Sequence, residues 1–567
     1  MTAFPWIKSY PAGVRWDAEL PTMPVQQILD ETAANWPDKP ALDFMGKKTT
    51  YRELQQQVNR AAKGFQQLGV KPGVHVGLFL PNTPHYVISF FGVLKAGGTV
   101  VNYSPLDAEK VLEHKVEDSE TDIIVTLDLN LLYPQMNQLL GCTRLKKLVI
   151  GNLAEMSPHP EALRAHLQQA GQLSKVDWDA RHLSFAQLLD HDERFRSYPI
   201  ADLTESIAVL QYTGGTTGAP KGAMLTHANL SSACSQIMTT VNGEPKVLEE
   251  GQERVLAVLP LFHIYALTVN MLVGIRIAAE LILHTRFEVE AVVKDLAAKK
   301  VTFFPGVPTM YAAIINYPDV GKYDLGSLKF CGSGGAPLPV EVNHAFQHMT
   351  GCSLLEGWGM TETSPTGTFT PAYGEQKPGS CGIPIAGVSF KFASVDDPSQ
   401  FVALGERGEL CIKGPNVMKG YWKNPEASAA ALTADGYFRT GDVGYMDHDG
   451  FVYIVDRTKD MILCGGYNVY PRNVEEAIYE HPSVAEVSVI GIPDDYRGQS
   501  PKAFITLKKD AAPFTLDQLK VFLKHRLGKH EMVQAMEIRA DLPKTPVGKL
   551  SKKELYAEEA AKRKEAT

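Results

Sequence analysis

Buried-type strands alternate with helical patterns from residue 51 to residue 127. That alternation narrows the fold more than any other feature of the chain. Leu54, Val58, Ala61, Ala62, Phe65 and Leu68 recur with helical periodicity over 51–68. Thr50 and Glu53 have capping-box spacing at the start of that stretch, and Gly69 stands where a C-cap glycine belongs. Strands are expected at 74–80, 100–103 and 123–127, with helices at 84–96 and 107–118 between them. Strands separated by helices make a largely parallel sheet covered on both faces. After a polar stretch near 151–200 the pattern resumes, with strands expected at 207–212, 301–304 and 328–331.

The texture changes after about residue 380, where short strands and Gly-rich turns appear: 408–413, 436–440 and 451–455. Helices at 472–480 and 516–527 and strands at 484–492, 503–508 and 536–539 then suggest a separate small α+β unit. A charged connector at 456–460 is the expected boundary, giving 1–456 and 457–567. The tail 541–567 carries seven Lys/Arg and five Asp/Glu and reads as a mixed-charge exposed helix. The expected fold class is α/β: a large N-terminal domain of layered α/β subdomains with mostly parallel sheets and a β-rich subdomain, followed by a small α+β C-terminal domain.

At 567 residues the chain can bury a large core without disulfide or metal staples. A net charge of −8 disfavours a general nucleic-acid binder, which must neutralise phosphates. Seven scattered cysteines with no CxxC pair fit reduced thiols in a cytoplasmic protein. The first twenty residues contain no apolar signal-peptide core. The most membrane-like stretch, 264–275, is interrupted by Asn270 and ended by Arg276, and is too short to span a bilayer. It reads as a buried helix; peripheral membrane contact and a homodimer are left open.

The strongest chemical signal is Tyr212-Thr-Gly-Gly-Thr-Thr-Gly-Ala-Pro-Lys-Gly222, between an expected strand and a helix beginning near Thr226. Gly214, Gly215 and Gly218 let backbone N–H groups approach a phosphate, Thr213, Thr216 and Thr217 add hydroxyl donors, and Lys221 adds charge. Neither a GxxxxGK[ST] loop nor a GxGxxG fingerprint occurs in the chain. The segment resembles the signature loop of the adenylate-forming superfamily: acyl-CoA synthetases, firefly-type luciferases and peptide-synthetase adenylation domains. Three stretches are most similar to the bacterial medium- to long-chain fatty acyl-CoA synthetases: 211–227 (QYTGGTTGAPKGAMLTH), 259–267 (LPLFHIYAL) and 435–471. One departure stands in the last, Tyr437-Phe438 where that branch often has Trp-Leu, with a bearing on chain-length preference.

The resemblance implies a fatty acid–CoA ligase that forms an acyl-AMP from ATP and then a CoA thioester, with Mg²⁺ as cofactor. Glu362, in Glu356-Gly357-Trp358-Gly359-Met360-Thr361-Glu362, would hold Mg²⁺ together with Thr216. Trp358 would stack on adenine, and Gly334, Gly335 and Ala336 would line the nucleotide and acyl sites. Asp442 and Arg457 would meet the ribose. Lys459 would be the hinge of the C-terminal domain, Lys549 would reach the carboxylate and α-phosphate, and Gly465, Gly466 and Tyr467 would line the pantetheine passage. His263 would stand at the acyl entrance, and Leu267 occupies the position of a tryptophan gate in some relatives. Competing readings are a dicarboxylate– or aryl–CoA ligase, an acyl-AMP ligase, and a non-catalytic lipid-binding or uptake protein on the same fold.

Overall fold

The computed structural model describes residues 4–213, 220–457, 459–464, 467–494, 496–545 and 548–566. One sheet has seven strands in the spatial order His182–Ser184, Lys147–Gly151, Thr121–Leu127, His75–Leu78, Thr99–Asn102, Ile207–Tyr212 and Gly222–Thr226. Every pair is parallel except the last. The helix Tyr51–Gln67 starts on the expected capping box, with Thr50 accepting from the Glu53 N–H. Its apolar stripe Leu54, Val58, Ala61 and Phe65 is fully buried. The helix Pro84–Lys95, buried along its whole length, packs against it.

A second sheet has nine strands: Ile383–Pro384, Thr368–Phe369, Leu354–Trp358, Phe330–Gly334, Phe303–Gly306, Arg254–Ala257, Glu280–Leu283, Pro40–Phe44 and Lys47–Thr50. It is parallel from Leu354–Trp358 to Pro40–Phe44 and antiparallel at both edges. Two of these strands lie about two residues later than the sequence pattern suggests, because pairing continues into the glycine-bearing ends Gly306 and Gly334. The β-rich part is a four-stranded antiparallel sheet, Ser389–Ala393, Gly408–Lys413, Phe438–Met446 and Val452–Arg457. The C-terminal sheet, built on the long pair Val484–Asp494 and Gly498–Leu507, has its own core of Val474, Ile478, Val487, Ile505, Leu519 and Leu523.

Two elements differ from expectation. The Gly/Thr segment leads first into the strand Gly222–Thr226, antiparallel to Ile207–Tyr212, and only then into the helix His227–Val241. Tyr212 and Gly222, paired across the two strands, therefore form the neck of a hairpin. Gly222 permits this, since a Cβ there would press on the Tyr212 ring at 3.2 Å. The apolar run 264–275 is buried, but Ala266–Leu272 is a π-helix, followed by a short α-helix, Val273–Arg276. Such turns widen a helix and often border functional sites. No helix among the described residues is long and apolar enough to cross a membrane. All seven cysteines are free.

Candidate active site

The C-terminal ends of the strands Phe330–Gly334 and Leu354–Trp358 open onto a cavity of about 1400 Å³. Crevices beyond the carboxyl ends of parallel strands are the usual ligand sites of α/β sheets. Most of the residues proposed from sequence line this one: Thr213, His263, Gly334, Gly335, Ala336, Glu356, Gly357, Trp358, Gly359, Met360, Thr361, Glu362, Asp442, Arg457, Lys459 and Lys549. Gly214, Gly215, Thr216, Thr217, Gly218, Gly465 and Gly466 lie outside the described residues.

Pairing of adjacent strands builds one wall. Asp442 stands opposite Arg457 in the register of Phe438–Met446 with Val452–Arg457. The Arg457 Nε donates to Asp442 Oδ1 at 2.8 Å, and the Trp358 indole N–H donates to Oδ2 at 2.8 Å. The buried carboxylate is thus held from both sides, and it fixes the indole ring. Gly367 backs that ring, leaving only 2.5 Å between a Cβ built there and the indole. Gly359 turns the chain where a Cβ would lie 1.6 Å from the Pro365 carbonyl oxygen, so no larger residue fits.

A second wall carries Glu362, buried in a short 3₁₀ turn, Thr361–Thr363. Burial pushes its carboxyl above the usual range, and the Tyr421 hydroxyl donates to its Oε1 at 2.8 Å. Tyr421 was not legible as a site residue. Its ring also lies 5.0 Å from the Lys221 amine. The strand Gly222–Thr226 joins this wall through Met224 N–H to Gly420 carbonyl (2.9 Å) and Trp422 N–H to Gly222 carbonyl (2.8 Å). One hairpin therefore ties Lys221 to the segment that orients Glu362.

Lys549 enters from the C-terminal sequence. The Thr309 hydroxyl donates to the Gly548 carbonyl at 3.0 Å, and the Lys549 N–H donates to the Thr545 hydroxyl at 3.1 Å. Its side chain crosses Gly335 so closely that a Cβ there would lie 2.3 Å from Cε. Gly335 has φ +80°, which also favours glycine. Burial, with Arg457 nearby and against the pull of Asp442, draws the amine down to about 8. His263 is drawn down to about 3 by burial and by the charge of Lys549, and so is neutral. The Gly332 carbonyl accepts from the hydroxyls of Tyr265 (3.1 Å) and Tyr311 (2.9 Å), two further contacts that no motif signalled. Burial raises Glu356 to about 7.

Three of the proposed residues that are described stay apart from the cavity lining: Lys221, whose amine lies over the Tyr421 ring, Tyr467 and Leu267. Tyr467 is 62% exposed and lies against the His530 ring, 4.9 Å between centroids. Leu267 is fully buried inside the π-helix and does not line the cavity; its neighbours Tyr265 and Val269 do. Of the Tyr437-Phe438 departure, Phe438 lines the cavity on the strand that carries Asp442, while Tyr437 lies between Lys391 and Lys413.

Among the described residues no cluster of three or more His, Cys, Asp or Glu could enclose a metal ion. A single buried carboxylate oriented by a tyrosine suits Mg²⁺ instead, which completes its shell with water and phosphate oxygens.

The model of the AMP-binding enzyme family matches residues 29–422, and that of the AMP-binding enzyme C-terminal domain matches 473–549. The chain belongs to the AMP-binding enzyme family. A long-chain-fatty-acid–CoA ligase of Bacillus subtilis is 41% identical over 561 residues, 98% of each chain. The anthranilate CoA ligase AuaEII, solved with anthranoyl-AMP, superposes with TM-score 0.84 at 25% identity, over 96% of this chain and 99% of that one. The O-succinylbenzoate coenzyme A synthetase of Bacillus subtilis, solved with ATP and a magnesium ion, does so with TM-score 0.74 at 26% identity, over 92% and 98%. The family's matched span contains Trp358, Glu362 and Tyr421, its C-terminal model ends on Lys549, and Asp442 and Arg457 lie between the two.

Proposed function

We propose that this AMP-binding enzyme is an ATP-dependent fatty acid–CoA ligase that forms AMP, acting on medium- to long-chain acids. The observation that carries the reading is Lys549, an amine laid across Gly335 in a cleft that also holds Glu362 and the Asp442–Arg457–Trp358 cluster. Joining a carboxylate to a phosphate brings two anions together, and a preorganised cation lowers that barrier.

In the first step a carboxylate oxygen attacks the α-phosphorus, the bond to the β-phosphate oxygen breaks, and pyrophosphate leaves. Trp358 would meet the adenine, Asp442 and Arg457 the ribose, and Gly334, Gly335, Ala336 and the stretch from Glu356 to Thr361 would line the nucleotide. Thr213, Gly214, Gly215, Thr216, Thr217, Gly218 and Lys221 would grip the phosphates. Glu362 and Thr216 would hold Mg²⁺, which offsets charge on the leaving pyrophosphate. In the second step the CoA thiolate attacks the acyl carbon and AMP leaves. Segment 457–567 would turn about Lys459, bringing Gly465, Gly466 and Tyr467 to the cleft. The exposed position of Tyr467 and the seated position of Lys549 both suit the orientation for the first step.

Ile237, Val241, Phe262, Ile264 and Val269 line the cavity near His263 and suit a hydrocarbon chain. The name of the Bacillus relative supports the same substrate class. Cytoplasmic placement fits the free cysteines. The test is a CoA-thioester assay with ATP·Mg²⁺ over saturated acids from acetate to stearate, with benzoate, 4-coumarate and pimelate. Thioester from octanoate to stearate is expected. Preference for pimelate or the aryl acids would move the substrate class. Acid-dependent pyrophosphate release without thioester would make the protein an acyl-AMP ligase. Neither product from any acid would overturn the enzyme reading.

A further inference from the structure

The helix Glu109–Asp118 touches the phosphate-loop hairpin at two points and the segment paired with that hairpin at a third, although no motif lies on it. The Tyr212 hydroxyl donates to Asp118, the His114 ring lies 3.3 Å from the Pro220 carbonyl oxygen, and the Trp422 indole N–H donates to the Asp118 carbonyl at 2.9 Å. Between these contacts sits Lys115, with only 8% of its side chain exposed. Its amine is 2.5 Å from Asp107 Oδ2 and 5.5 Å from the centre of the Tyr212 ring. Asp107, Lys115, Tyr212 and Thr213 all line the large cavity. Thr213 N–H donates to the Lys221 carbonyl at 3.0 Å, closing the neck of the hairpin directly after Tyr212.

A buried ammonium is costly unless paired, and here one carboxylate and one aromatic face supply the pairing. Side chains that must meet a ligand bind it better when the backbone that carries them is already fixed. We infer that Lys115 is a positioning residue for nucleotide binding: seated by Asp107 against the Tyr212 ring, it fixes the hairpin neck from which Thr213 and Lys221 meet the phosphates. The inference rests on the reading of the cleft as an ATP site.

The test measures ATP·Mg²⁺ affinity by calorimetry and the two half-reactions separately, in wild type, Lys115→Met and Lys115→Arg. Lys115→Met should weaken ATP binding and raise the KM for ATP about tenfold, the scale of one lost charge-assisted contact. Thioester formation from supplied acyl-AMP, which needs no triphosphate grip, should be unchanged, and Lys115→Arg should recover part of the loss. Should Lys115→Met fail to fold, Asp107→Asn carries the same test, since it frees the ammonium at nearly constant volume. Unchanged ATP affinity in a folded variant would overturn the inference, as would an equal fall in the acyl-AMP half-reaction. A wild type that binds no ATP would overturn the reading of the cleft and the inference with it; a wild type that binds ATP beside an unaffected variant would overturn the inference alone.

Discussion

Lys549 and Lys552 stand three residues apart and have opposite surroundings. Lys552 opens the helix Lys552–Ala566, its amine 3.0 Å from Glu475 Oε1 with Asp456 also facing it. Those carboxylates outweigh burial and raise its pKa above the ordinary lysine value. Glu475 also accepts the Val489 N–H, and Asp456 accepts the N–H groups of Arg457 and Arg472. Lys549 has no carboxylate in ion-pair contact among the described residues: burial is the largest influence, Arg457 adds to it against the more distant pull of Asp442, and the amine falls to about 8. A lysine whose charge is already answered holds a joint together. One whose charge is left unanswered can answer a ligand's.

The largest expected effect tests that division. Lys549→Ala should slow acid-dependent pyrophosphate release by about a thousandfold, the scale of removing one electrostatic stabiliser of a transition state. Thioester formation from supplied acyl-AMP should persist, because Lys549 is assigned to the first step alone. Equal loss of both half-reactions would break the assignment. Next comes Asp442→Ala, which frees the Trp358 indole and leaves Arg457 without its carboxylate. Asp442 is buried but the Arg457 side chain is 44% exposed, so the cost should lie at the low end of the range of about 2–5 kcal/mol for a desolvated pair, and the KM for ATP should rise by about thirtyfold. An unchanged KM would remove Asp442 from the nucleotide wall.

The fold was readable where period and punctuation agreed. The capping box at Thr50 and Glu53, the alternation through residue 127 and the change of texture after residue 380 all follow from local chemistry. The hairpin strand Gly222–Thr226 was not readable: its five residues pair with a strand before the loop and with 419–422, nearly two hundred residues later. The π-helix escaped for a similar reason, since an apolar run carries no mark of its hydrogen-bond spacing. Within the site, Lys549, Glu362 and Asp442 stood out because motifs surround them. Tyr421, Thr309 and Lys115 make contacts across 59, 239 and 97 positions of the chain, to Glu362, Gly548 and Tyr212, and tertiary geometry of that kind leaves no local pattern.

Lys552→Met should act on stability instead of chemistry. It leaves Glu475 and Asp456 facing each other without their cation. With 21% of the lysine side chain exposed, the cost should be about 2 kcal/mol, below that of a fully buried pair. Denaturant unfolding should show the loss, while both half-reactions persist in the folded protein. A selective fall in pyrophosphate release would instead place Lys552 in the first step and dissolve the contrast with Lys549.

The smallest effect is a count of protons. In the docked protein the Lys549 amine loses its proton at about 8, against 10.5 for an ordinary lysine. Below about 8 it is charged in both folded and unfolded chains, and the burial penalty is fully present. Between about 8 and 10.5 the unfolded chain holds the proton and the docked one does not, so docking strengthens as pH rises through that window. An anionic nucleotide beside the amine favours the charged form and moves its pKa back up. ATP·Mg²⁺ binding near pH 9 should therefore take up a proton, up to about one per site, and near pH 7 almost none through this group. Calorimetric titrations in two buffers of different ionisation enthalpy would count it, with Lys549→Met as the control. Equal uptake in wild type and variant would mean that the amine does not face the nucleotide, whatever its distance from Gly335. Uptake confined to the wild type would show that the unanswered charge is the one the ligand completes.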